Sequence, residues 1–392
     1  MRLQTLEDVM KNSVRLIAVF IVLISTVIVI TGCGNDAEPE APADTSSSEA
    51  VDTLIIAVTD TIGVEMGDSS YVFGMLMEVA HGADGNIIAL DMNRSCLSVY
   101  SPGGSFIGYI GSSGPGPGEF LIPIDFAVMS DGGIAVSDAV ARNISFFDAE
   151  GIFQEAMEGF FPTPPMSIEG CPDGGYVGQS MSMVMTGETM EASLQLCKYT
   201  DSTEADVIYF SKPMEMDFSG GGQASLQRGP EFDFAVGPDG SVFVAELSDT
   251  LFAVSGYSPD GEEFLTLYEE REKTPLTQEE IDAGSLAMSI MITDGEASSS
   301  MDRVENVYPW RNVIASIGVD SMERIWVEMA CTDTPVFRVY DYSGTLLFVA
   351  VPDVAFTAVT RPSFMIDSGG ILACDRDPMD YPKIYNFQLL EN

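Results

Sequence analysis

The sequence predicts an all-β fold, a six-bladed β-propeller of four-stranded antiparallel blades whose ring is closed by the N-terminal strand completing the last blade. Three observations predict it. Tight turns recur at Asp84-Gly85-Asn86, Asp131-Gly132-Gly133, Asp173-Gly174-Gly175, Asp239-Gly240-Ser241, Met322-Glu323-Arg324 and Ser368-Gly369-Gly370, each followed by an apolar strand such as Ile134-Ala135-Val136. A further strand ends each unit: Leu97 to Tyr100, Ile144 to Phe147, Leu196 to Tyr199, Ala253 to Tyr257, Phe337 to Tyr340 and Ile384 to Phe387. The two ends are complementary. The last unit stops after its third strand, and the segment from Leu54 to Gly63 reads like the fourth strand Phe106 to Gly111. Pairing the termini removes the free edges of the ring.

The clearest unit runs from Gly111 to Phe153. A Gly/Pro loop leads into the apolar strand Ile124 to Met129, and Asp131-Gly132-Gly133 supplies the turn. Strands Ile134 to Ser137 and Asn143 to Phe147 follow, the second ending at the turn Asp148 to Gly151. Four short strands cannot bury both faces alone, so such units must stack. Gly114, Gly116, Gly118, Phe120, Asp131, Gly132, Val136, Asp138, Arg142, Ile144, Phe147, Asp148 and Gly151 fall in the pattern of the NHL repeat, which this segment resembles. The resemblance implies a six-bladed NHL-type propeller of the kind found on bacterial lipoproteins. From residue 53 on, roughly 57 residues serve each blade, above the usual 40–50 of such repeats, so insertions are expected.

The first residues read as targeting. Arg2, Lys11 and Arg15 precede and flank an apolar run from Leu16 to Ile30, which ends in Ile30-Thr31-Gly32-Cys33 and resembles a lipobox. Residues 1–32 are then a lipoprotein signal peptide and Cys33 the lipidated residue; an uncleaved membrane anchor is the alternative. Residues 33–52 carry acids, Ser and Pro and read as a tether too polar to fold. Gly34, rather than Asp, follows Cys33, which by resemblance to lipoproteins points to the outer membrane in a two-membrane cell.

The formal net charge of −43 repels phosphate backbones, which argues against nucleic-acid partners. With Cys33 lipidated, five cysteines remain and cannot all pair. Cys171 and Cys197 lie on strands separated by another strand, beyond disulfide reach; a Cys331–Cys374 bond stays open.

In a four-stranded meander, first-to-second and third-to-fourth turns share one face, and second-to-third turns and inter-blade loops share the other. The long segments, Gln179 to Ser193, Ser211 to Pro230, Glu269 to Pro309 and Asp375 to Lys383, all belong to the second face, to which binding is assigned. Thr277-Gln278-Glu279-Glu280 forms a capping box, predicting a helix from Gln278 to about Met291 within a helical insertion at about 274–305.

Candidate sites are sparse. The chain has one histidine, His81, which excludes a histidine-cluster metal site within one chain and reads as an exposed turn residue. Asp375, Asp377 and Asp380 are candidate calcium ligands in an acidic turn lacking the EF-hand glycine. No G-x-S-x-G nucleophile motif is present. Met181, Met183 and Met185 share one side of a strand, a set suited to copper(I) or to an adaptable apolar surface. Arg228, Arg311 and Arg361 each precede an innermost strand, with Trp310 beside one, and can hold an anionic group or neutralise nearby carboxylates. Asp91, Asp138, Glu246 and Asp375 occupy equivalent strand ends and read as turn caps.

Together these features read as an exported, membrane-anchored propeller at the cell envelope. It serves as a non-catalytic binding or scaffold module for a protein, peptide or glycan, with no cofactor, though calcium suits the acidic turn. The alternative is a calcium-dependent hydrolase or lyase resembling lactonase-type propellers.

Overall fold

The computed structural model describes residues 51–186, 189–214, 232–284, 286–293, 296–303, 308–356, 359–375 and 381–390. Among them, blade I comprises Leu76–His81, Ile87–Asp91, Cys96–Tyr100 and Phe106–Ile110, and blade II comprises Pro123–Val128, Ile134–Asp138, Asn143–Phe147 and Phe153–Glu158. Blade III follows with Ile168–Gly170, Tyr176–Thr186, Thr189–Tyr199 and Val207–Met214, and blade IV with Phe232–Val236, Val242–Glu246, Leu251–Tyr257 and Glu263–Glu270. Blade V consists of Ile314–Val319, Ile325–Met329, Phe337–Tyr340 and Leu346–Pro352. Blade VI takes Ser363–Asp367, Gly370–Asp375 and Lys383–Leu390 from the C-terminal end and Thr53–Ile62 from the N-terminal end. The innermost strands touch their neighbours all the way round.

The second strands read as continuous apolar runs because they are buried on both faces. Ile87 and Ala89 pack into the junction with blade VI, beside Leu372, Cys374 and Ile384. Ile88 and Leu90 pack into the opposite junction, beside Phe120, Phe126 and Val136 of blade II. The period of two thus sends alternate residues to two different cores. Each of the six junctions has its own cluster of this kind. The glycine loop of the NHL-like unit seats one such residue. Phe120 is fully buried, and Gly111, at φ +75°, lies so close that a Cβ would stand 2.1 Å from the Phe120 ring.

The turns follow their sequence signals, with one informative exception. In blade II, Gly132 takes φ +85° and Asp131 Oδ1 accepts the Gly133 N–H at 2.9 Å. Blade V has Glu323 where the other blades have glycine, and it takes φ +57°. Asp320 holds this turn by accepting from the N–H groups of Met322 (2.9 Å) and Arg324 (3.1 Å), from Arg324 Nε (2.7 Å) and from Trp326 Nε1 (2.8 Å). Side-chain acceptors replace conformational freedom there.

Ring closure is as the sequence predicts and goes further. Thr53–Ile62 pairs antiparallel with Lys383–Leu390, Val58 opposite Phe387. Its other edge pairs parallel with the outer strand of blade V, Thr53 opposite Val349 through Ile56 opposite Pro352. Blades V and VI are therefore one eight-stranded sheet.

The helical insertion needs correction. The helix is Gln278–Gly284, and the residues after it, Leu286–Thr293, form a hairpin with Glu296–Arg303. Gly284 ends the helix, and Leu286-Ala287-Met288-Ser289-Ile290-Met291-Ile292 alternates in a strand-like way toward β-branched residues. The capping box itself forms: Glu280 accepts the Thr277 N–H at 2.7 Å, and Thr277 Oγ1 accepts the Glu280 N–H at 3.2 Å. The Cys331–Cys374 bond left open by the sequence is not formed, and no disulfide joins any of the described cysteines; Cys374 is buried in the blade VI–I junction.

Candidate functional site

The innermost strands enclose a central cavity of about 1060 Å³. It runs from the starts of these strands (Glu78, Asp125, Ser167, Asp233, Ser316 and Ser363) to the short turns at their ends. An innermost strand has one unpaired edge, whose N–H groups need acceptors. Carboxylates from neighbouring blades provide them. Asp125 of blade II accepts the Ile168 N–H of blade III at 2.7 Å, and Glu169 of blade III accepts the Val236 N–H of blade IV at 2.7 Å. Asp233 of blade IV accepts the Ile317 N–H of blade V, and Asp367 of blade VI accepts the His81 N–H of blade I, both at 2.9 Å. The channel acids thus stitch blade to blade.

Burial opposes ionisation of Glu169 and Asp233, and of Glu328 on the second strand of blade V. Burial pushes the Glu169 carboxyl up to about 8; the Val236 hydrogen bond opposes this, while the charges of Asp233, Asp125 and Asp367 add to it. Burial lifts Asp233 to about 6 against the Ile317 and Phe234 N–H groups. Glu328, 2 % exposed, is lifted to about 7, again by burial, against the Arg361 guanidinium and the Ser316 hydroxyl. Among the described residues, no three of His, Cys, Asp and Glu are grouped to hold a metal ion.

His81 is not an exposed turn residue. It ends the innermost strand of blade I, its side chain is 8 % exposed, and Nδ1 lies 2.8 Å from Asp367 Oδ1. The glycine-rich turn of blade VI permits this approach: a Cβ on Gly369 would lie 2.3 Å from that of His81.

The predicted arginine site resolves into braces. Arg311 forks onto Glu280 of the helix (Nε–Oε1 2.8 Å, Nη2–Oε2 2.9 Å) and donates from Nη1 to Asp333 at 2.9 Å. Arg361 donates to the carbonyls of Met329 and Thr332, both at 3.1 Å, and lies 3.4 Å from Glu328. Both arginines flank the Met329–Asp333 turn of blade V, and neither lines the cavity. Trp310 lies under Lys273 at 5.6 Å. Arg311 is thus paired with two carboxylates, and Arg361 is held chiefly by backbone carbonyls. Met181, Met183 and Met185 lie on the long second-to-third hairpin of blade III, opposite Leu194, Ala192 and Met190, and Met185 is 65 % exposed.

Of the strand-end acids, Asp138 accepts from the N–H groups of Leu121 (2.7 Å), Val140 (3.0 Å) and Ala141 (2.9 Å), and Asp91 from those of Gly74 (2.7 Å) and Met75 (3.0 Å). Glu246 departs from this pattern and pairs with Lys212 at 3.4 Å. Asp375 is buried and accepts from the Tyr385 hydroxyl at 3.4 Å. Asp377, Asp380, Arg228 and Cys33, with the signal segment and most of the tether, lie outside the described residues. The channel acids were missed at the sequence level. Their signal is a lone acid inside an apolar first strand, as in Pro123-Ile124-Asp125-Phe126-Ala127-Val128 and Phe232-Asp233-Phe234-Ala235-Val236.

Comparison with known proteins agrees with this architecture. Residues 70–177 match a family model described as a 6-bladed beta-propeller. No curated protein matches the sequence. Among solved structures, a protein described as exported, from Bacteroides fragilis, is 13 % identical with a TM-score of 0.46, covering 86 % of this chain and 96 % of its own. Virginiamycin B lyase from Staphylococcus aureus is 12 % identical (TM-score 0.41; 86 % and 100 % covered), and a gluconolactonase from Xanthomonas campestris is 10 % identical (TM-score 0.42; 87 % and 99 % covered). At these identities and scores, no activity passes from them to this chain. Strand order, closure of the ring and the family match together make the chain a six-bladed β-propeller.

Proposed function

We propose that the chain is an exported propeller of the NHL type, anchored through a lipid on Cys33, that acts at the cell envelope as a non-catalytic binding or scaffold module for a protein, peptide or glycan. The observation that carries this reading is the asymmetry of the two faces. One has short turns; the other carries the eleven-residue strands of the blade III hairpin and the insertion between Thr274–Pro275 and Trp310–Arg311. At the hairpin, Val184 and Met185 are 55 % and 65 % exposed, a flexible apolar surface suited to a macromolecular partner. The channel carboxylates and the paired arginines already have structural work. That supports a scaffold over the calcium-dependent hydrolase or lyase.

A photoreactive residue replacing Met185 tests this in cells, with the same residue replacing Met322 on the short-turn face as control. Discrete adducts from position 185 alone are expected; none there, or equal yields at both positions, refutes the assignment. In the same cells, Cys33→Ser should release the protein from membranes, and unchanged retention overturns the lipid anchor.

A further inference from the structure

We propose that the partner engages the blade III hairpin as an added β-strand: an extended basic segment of another polypeptide lies along the open edge from Met181 to Thr186. The proposal rests on the long-loop face as the partner surface, and it narrows the partner from a protein, peptide or glycan to a polypeptide backbone.

The first observation is an edge without a strand. Tyr176–Thr186 pairs with Thr189–Tyr199 along its whole length, from Tyr176 opposite Tyr199 to Thr186 opposite Thr189. On its other side it pairs with the innermost strand only from Tyr176 to Gly178. The last backbone bonds on that side belong to Gln179, whose N–H donates to the Ser167 carbonyl at 2.9 Å and whose carbonyl accepts the Met166 N–H at 2.8 Å. The chain before Met166 is a poor continuation of the ladder. It reads Pro162-Thr163-Pro164-Pro165, and proline has no N–H to donate. Main-chain groups alternate in direction along a strand, so the N–H and C=O of Met181, Met183 and Met185 point the same way as those of Gln179. Among the described residues, no strand pairs with them there.

The second observation is that this edge carries no guard. Met181-Ser182-Met183-Val184-Met185-Thr186 holds no charge, proline or glycine. The outermost strands Phe153–Glu158 and Glu263–Glu270 carry glutamates, and charge is one of the usual defences of an open edge. Val184 and Met185 point to opposite faces yet are 55 % and 65 % exposed, so the hairpin end stands clear of the ring. The fold already completes one edge by strand addition, where Thr53 to Ile56 pair with Val349 to Pro352 of blade V. Backbone donors and acceptors at strand spacing are matched by another backbone, not by a sugar. The methionines on one face adapt to apolar residues at alternate positions of the incoming strand. Residues 179–193 include Glu188 and Glu191 and neither lysine nor arginine, and the chain as a whole carries −43. Lys or Arg therefore suits the intervening positions of the partner strand, while two copies of this chain repel each other.

The test uses the full chain in cells, with a photoreactive residue replacing Met185 and a second substitution beside it. Met183→Ala removes the thioether and keeps the N–H. Met183→Pro removes the N–H that faces the open edge and spares the ladder to Thr189–Tyr199. Met181→Pro repeats that deletion two residues earlier. Adducts should persist in Met183→Ala and fall about tenfold or more in each proline variant. Mass spectrometry should map them to one contiguous segment of another polypeptide that bears Lys or Arg. Absence of adducts without the second substitution overturns the partner surface, and this proposal with it. Adducts undiminished by either proline leave that surface standing and overturn strand addition. An equal loss in Met183→Ala, a saccharide adduct, or an adduct that maps to a second copy of this chain does the same. The purified proline variants should melt like the wild type. Loss of the thermal transition in both means that those N–H groups serve the fold, which also overturns the proposal.

Discussion

Ile56→Asp is expected to prevent the ring from closing. Ile56 is fully buried among Trp326, Phe337, Phe348, Ala350 and Phe387, where blades V and VI meet. It sits opposite Leu389 on one side and Pro352 on the other, so its strand holds both blades at once. Loss of the side chain alone costs about 2–5 kcal/mol, and an unpaired carboxylate in that place adds several more. Against a total stability of about 5–15 kcal/mol for a folded domain, the sum removes most or all of it. The expected result is a chain without a cooperative thermal transition, while Ile56→Val loses only about 0.5–1.5 kcal/mol. An Ile56→Asp melt like that of the wild type contradicts the closure described here.

The second large effect concerns pH. The carboxyls of Asp233, Glu328 and Glu169 titrate in the fold near 6, 7 and 8, with burial as the main cause in each case. In the unfolded chain they titrate near 4. The folded state therefore binds more protons, and stability falls as pH rises from about 4 through these values, levelling off above about 8. Asp173 and Glu280 run the other way. Lys198 lowers the Asp173 carboxyl, and Arg311 and Thr277 lower that of Glu280 against its burial. Their contribution is present above about pH 4 and is lost on further acidification. Maximal stability is thus expected in mildly acidic solution. Thermal melts from about pH 4 to about 9 should show a steady decline in Tm above the optimum. Glu169→Gln, which keeps an acceptor for the Val236 N–H, should flatten that decline and raise stability at the alkaline end. A rising profile in wild type, or an unchanged slope in the variant, contradicts the assignment.

Much of this molecule was legible from its residues. Asp131-Gly132-Gly133 names its turn, Phe120 follows a glycine loop built to admit it, and the strand-like Leu54 to Gly63 completes the blade that ends at Leu390. These are local signals. The parallel seam with blade V was not legible, because nothing within Thr53 to Ile56 distinguishes a strand with one partner from a strand with two. The hairpin after Gly284 was masked by the capping box before it, which sets a helix start but not its length. His81 misled for a related reason. Its neighbours in sequence, Gly82 to Asp84, announce a turn, whereas its burial depends on Asp367, 286 positions away. The channel acids were invisible as a set, since their union is a property of the ring. Each contributes one acid to a strand that otherwise reads as core.

Closure of the ring by the two termini is the claim on which the blade count, the faces and the channel depend. Ala57 and Gln388 are Cα partners in the antiparallel pair that makes the closure. Antiparallel partners stand about 4.5–5.5 Å apart, inside the range a disulfide spans. The direct measurement is mild oxidation of Ala57→Cys/Gln388→Cys followed by peptide mapping of the monomer. An intramolecular link joining positions 57 and 388 in most molecules is the expected result; no link between them, or a link from 57 into another blade, contradicts it.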